Sequence, residues 1–221
     1  SRKLAEELAN NFPELVSVYL YKSPRFHAKH TVLIVMRYIN LAILDRLRPI
    51  LKKHYSDQWK IQLRTREEFM SSGDIFPDFY LEMKTNYKVL VGKNDLKHVK
   101  IDDVHLRLFL EYDLRRLAFA FRKIILEKNQ DMQILRKLAA RTKREALRIF
   151  RYLMYLEGSL SGIAAPFEQL AVVVDKHPDF EEGLLRQLVR CSTQPENIME
   201  TLEFLLSVLM KLEAYTDKLR V

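Results

Sequence analysis

The densest run of chemically capable residues is Lys22-Ser-Pro-Arg-Phe-His-Ala-Lys-His30, which contains no Asp or Glu. Lys22, Ser23, Arg25, Lys29 and His30 offer ammonium, guanidinium, imidazole and hydroxyl donors that could hold a phosphate or another anion. A solvated basic loop without a ligand is the plainer alternative. His27 and His30 could begin a metal site, but no Cys, Asp or Glu stands near enough in sequence to supply the further ligands zinc needs. A Cys-His or Ser-His-Asp enzyme finds little support, because Cys191 has no neighbouring histidine and Gly-x-Ser-x-Gly does not occur. On a later helical stretch, Lys137, Arg141, Arg144, Arg148 and Arg151 recur at steps of four and three, forming one basic stripe opposite Leu135, Leu138, Ile149, Leu153 and Leu156. Such a stripe could meet a nucleic-acid backbone, or simply face water.

The elements that must position these residues change character near the middle of the chain. Leu15–Tyr21 has the β-branched and aromatic content of a strand, and Thr31–Met36 is the continuous apolar run of a strand covered on both faces. Ile39 to His54 is helical in period, and Trp59–Arg64 alternates as a third strand. Thr65 and Glu68 have the spacing of a capping box opening a short helix. Asp78–Lys84 reads as a fourth strand, followed by the apolar Tyr87–Val91 and a turn at Gly92–Asp95. Beyond Ile101 the period is helical throughout. Asp102 or Asp103 caps a helix to about Lys128, a second runs from about Asp131 to Glu157, and Pro166, Pro178 and Pro195 punctuate three more.

Bulk properties agree with a folded chain: of 221 residues, 48% are hydrophobic and 30% charged. No apolar run spans a bilayer, and the N-terminal stretch is charged and amphipathic rather than a secretion signal, so no membrane association is expected. A single cysteine points to a reducing cytoplasm. Of the net charge of +8, +7 sits in the first half, where residues 1–100 carry 18 Lys and Arg against 11 Asp and Glu. That field favours an anionic partner: a nucleotide, a nucleic acid or an acidic protein.

Ser17-Val-Tyr-Leu-Tyr-Lys-Ser23, a short loop, and Lys29–Met36 together resemble the signature of the polymerase-β-like nucleotidyltransferase superfamily. Asp74–Lys84, Tyr87–Gly92 and Leu106–Arg115 resemble segments of predicted nucleotidyltransferases with appended helical domains. The resemblance implies an α+β nucleotidyltransferase-like domain over 1–100, a mixed sheet flanked by helices, followed by an all-α helical bundle over 101–221. In that family a strand ends in Gly-Ser against the triphosphate, and the next strand carries Asp-x-Asp for Mg²⁺. Here Lys22 replaces the glycine, Ser23 keeps the serine, and His30 and Val32 take the aspartate positions. No Asp or Glu occurs anywhere from Leu15 to Leu44, so no shift of register restores a carboxylate pair. Magnesium is a hard cation that wants carboxylate oxygens, which His and Val do not provide.

Glu82 or Asp78 is left as a possible remnant of the third family carboxylate, on the later strand. The spacing Arg, four to six residues, His of the family's helical nuclease partners fits Arg25…His30 and Arg48…His54. Both lie outside the helical half. The expectation is a catalytically degenerate, non-enzymatic scaffold without cofactor, Mg²⁺ included. It would bind a nucleotide or other anion at Lys22, Ser23, Arg25, Lys29 and His30, or a partner protein. The alternatives are an active nucleotidyltransferase with non-standard metal ligands and a nucleic-acid-binding module. The last helix, with Ile198, Leu202, Leu205, Leu206 and Leu209, could be shared between chains in a homodimer.

Overall fold

The computed structural model describes residues 2–22, 30–54 and 59–219. The chain divides into two compact units, Ser1–Asp102 and Asp103–Val221. The first is α+β and the second all-helical, the fold class the sequence indicates.

The first unit is built on a four-stranded mixed sheet. Its strands are β1 (Leu15–Lys22), β2 (His30–Met36), β3 (Trp59–Thr65) and β4 (Tyr87–Gly92), in the spatial order β3-β2-β1-β4. β1 runs antiparallel to both β2 and β4, while β3 lies parallel to β2. A parallel neighbour needs a crossover, and α2 (Leu41–His54) supplies it. Every residue of β2 from Thr31 to Met36 is buried, which explains its unbroken apolar run.

Alternation along the strands separates two cores. On one face, Val18, Val32, Ile34 and Met36 pack with Leu4, Ala5 and Leu8 of α1 (Arg2–Asn11) and with Ile43 and Leu47 of α2. On the other, Tyr19, Tyr21, Leu33 and Val35 pack with Phe69 of α3 (Arg66–Ser71) and with Tyr80 and Met83 of α4 (Pro77–Thr85). Thr65 closes the expected capping box, accepting from the Glu68 N–H while the Glu68 carboxylate accepts from the Thr65 N–H.

One expected element is corrected. Asp78–Lys84 is helical, within α4, and the fourth strand is Tyr87–Gly92. The alternation of Phe79, Leu81 and Met83 mimics a strand, but Pro77 stands in the first helical turn with its φ already set. The residues that are buried, Asp78 with Glu82 and Tyr80 with Met83, keep helical spacing.

The second unit contains α5 (Asp103–Lys128), α6 (Met132–Leu156), α7 (Phe167–Asp175), α8 (Leu184–Arg190) and α9 (Ile198–Lys218). Asp131 caps α6, its carboxylate accepting from the Ile134 N–H at 3.0 Å. The long helices α5, α6 and α9 pack mutually. No described helix is long and apolar enough to cross a membrane.

Candidate functional site

Lys22 ends β1 and His30 begins β2, and the two stand opposite one another in the antiparallel register. Both are exposed, and His30 is level with Trp59 on β3. Ser23, Arg25, His27 and Lys29 lie outside the described residues. The structure therefore brings together two members of the expected anion site, at one end of the sheet.

The two faces of β2 decide what a metal would meet. Val32 points with Val18 and Ile34 into the core beneath α1 and α2, where it is fully enclosed. Residues two apart share a face, so a carboxylate pair at positions 30 and 32 would be directed toward that helical cover. The opposite face, toward α3 and α4, is lined from β2 by Thr31, Leu33 and Val35. Neither set contains an acid.

That second face is closed by aromatic packing. Tyr21 meets the Phe79 ring edge-on at 5.7 Å and donates its hydroxyl to Gln62 Oε1 at 3.2 Å. Phe79 and Tyr80 are in edge contact at 4.9 Å, and the Tyr80 hydroxyl donates to the Phe69 carbonyl at 2.7 Å. The Arg64 guanidinium covers Phe79 at 4.8 Å and Phe76 at 5.2 Å. Burial drives the Tyr21 phenol up to about 12, and the nearby Glu82 carboxylate adds to that.

Glu82 and Asp78 are only 4% and 1% exposed, one turn apart on α4. Both candidates for the later-strand carboxylate thus lie on a covering helix and not on a strand. Tyr21, Gln62 and Arg64 escaped the sequence reading. Their alternation on β1 and β3 was visible, but which face the later helices would cover was not.

No protein-family model matches this chain, and no curated protein matches it. The residues themselves carry the functional argument.

The other sequence candidates are absorbed by structure. Of the basic stripe on α6, Lys137, Arg141 and Arg144 stay exposed, but Arg148 and Arg151 turn inward. Arg148 bonds Asp113, and its Nε donates to Glu145 at 2.9 Å. Arg151 donates to the carbonyls of Ile163 and Ala165, and burial lowers its pKa. His177 bridges Glu157 at 2.9 Å and accepts the Asp179 N–H at 3.2 Å. Both ring nitrogens are thereby occupied. Cys191 is half-buried, and burial pushes its thiol up, away from nucleophilic use. On α9, Ile198, Leu202, Leu205 and Leu209 are buried within the second unit, so the apolar face expected to be shared between chains is already covered.

Proposed function

We propose that the chain is a catalytically degenerate relative of the polymerase-β-like nucleotidyltransferases, and that its first unit is a non-enzymatic scaffold binding a nucleotide or similar anion. The observation that carries this reading is β2, where one face presents His30, Val32 and Ile34 and the other Thr31, Leu33 and Val35. Nucleotidyl transfer requires divalent cations that neutralise charge on the phosphates, and these need converging carboxylates. Coverage of both faces also supports a scaffold: α1 and α2 enclose Val32, and Tyr21, Phe79 and Tyr80 close the other side, so triphosphate and metals would have to displace packing on either one.

Anion binding draws on the exposed Lys22 and His30 at the sheet end and on the positive field of the first half. Isothermal titration with ATP, in EDTA and in Mg²⁺, tests both parts. The expected result is binding that does not depend on Mg²⁺, weakened about tenfold by Lys22→Ala combined with His30→Ala. A strict requirement for Mg²⁺ overturns the degenerate reading. Absence of any binding overturns the ligand.

A further inference from the structure

Helix α2 packs against α1, and the edge strand β3 is left incompletely covered. Val32 and Ile34 on β2 are fully buried, but their register partners Ile61 and Leu63 on β3 are only partly so. Between α2 and β3 lies a groove of about 480 Å³. Leu44, Leu47 and Leu51 form its helix wall, Ile61 and Leu63 form its strand wall, and the buried Ile34 closes its base. That volume is within the range of small-molecule sites, roughly 300–1,000 Å³. None of these six side chains carries a hydrogen-bonding atom or a ring. They offer nothing that reads a base or a sugar, and they suit a flexible alkyl chain.

The polar part of the lining is confined to one rim. Arg48 and Lys52, one turn apart on α2, complete it, and both side chains are exposed. Such side chains lay their aliphatic stems along an apolar wall and keep their charges in water. Arg48 meets Asp45 at 3.4 Å, an exposed pair of little strength. Lys52 makes no ion pair with a described residue, and its neighbours Lys53 and His54 both turn to Glu7. Two cations against one acid leave the rim a single positive charge. We propose that the groove binds an unbranched medium-chain carboxylate as a free monomer, its alkyl chain between α2 and β3 and its carboxylate at Arg48 and Lys52.

Length and charge select this occupant. From Leu44 to Lys52 the groove follows α2 for roughly 12 Å at 1.5 Å per residue, about the length of an extended ten-carbon chain. A neutral chain of that length would leave the rim charge unanswered, and a cationic one would be repelled by it. The inference does not depend on anion binding at Lys22 and His30.

Trp59, the chain's single tryptophan, shares a strand face with Ile61 and reports on the groove by its fluorescence. The full chain is titrated with decanoate below its micelle-forming concentration, by fluorescence and by calorimetry, and is expected to saturate at one site. Octanoate should bind about fifteenfold more weakly, since each methylene withdrawn from an apolar groove costs about fourfold. Decanol and decyltrimethylammonium should each bind at least about tenfold more weakly than decanoate. Lys52→Glu, at an exposed side chain, should weaken decanoate about tenfold without moving Tm. Leu44→Trp fills the open side of the groove from a residue 38% exposed, and should abolish the calorimetric signal. ATP should not compete. Failure to saturate, an affinity indifferent to chain length, decanol binding as tightly as decanoate, competition by ATP, or normal binding by Lys52→Glu overturns the proposal. So does a chain that associates with anionic lipid vesicles but not with monomeric decanoate.

Discussion

Tyr19 is fully enclosed, and its hydroxyl ties the sheet to the segment after β4. It accepts the Asp95 N–H at 2.9 Å and donates to the Lys93 carbonyl at 3.1 Å. Tyr19→Phe keeps the ring packing but strands those backbone groups, and should lower unfolding free energy by about 1–3 kcal/mol in a urea titration. In the second unit, Asp113 is held by Arg116 at 2.6 Å and by Arg148, whose side chain is only 10% exposed. Arg148→Ala removes one partner of a buried ionic cluster, and a loss of about 3 kcal/mol is expected by the same measurement. The basic stripe seen in sequence did not reveal this. Steps of four and three place residues on one side of a helix, but the pairing of Arg148 depends on Asp113, on a different helix and 35 residues away.

Among the elements, β4 shows how a strand end is fixed. Gly92 has φ of +86°, and a Cβ there would lie 2.0 Å from the Val16 carbonyl oxygen and 2.7 Å from Ser17 Cα. Gly92→Ala should therefore cost at least about 2 kcal/mol, read as a shift in the urea midpoint, because both the conformation and the space exclude a side chain. The sequence marked this glycine as a turn, and it also disclosed β1, β2, β3, the Thr65 capping box and the long helices, since local periodicity and caps are local physics. It misplaced α4, where Phe79, Leu81 and Met83 alternate by chance within a helix opened by Pro77. The closed face of the candidate site required knowing that Tyr21 and Arg64 meet Phe79 and that Gln62 meets Tyr21, and such long-range contacts leave no periodic mark.

At the scale of the molecule, acid should weaken the fold through carboxylates held below their ordinary values. Glu7 is lowered from 4.5 by hydrogen bonds from His54 and Lys53. Asp175 is lowered from 3.8, partial burial being outweighed by the Gly183 N–H at 2.9 Å and by Arg186. Folded pKa values below the unfolded ones give stability that is complete above the ordinary values and lost as pH falls through the depressed ones. Tm should therefore decline as pH is lowered from 4.5, with a shallower slope in Asp175→Asn. In the function proposed for the chain, the positive first half binds an anion and β2, which carries no carboxylate, leaves nucleotide transfer without metal ligands. Crystals of the full chain soaked with ATP and Mn²⁺, examined by anomalous scattering, address this most directly. The account predicts no manganese pair on either face of β2, beside His30 and Val32 or beside Thr31, Leu33 and Gln62. Two manganese peaks bridging the phosphates on either face would contradict it.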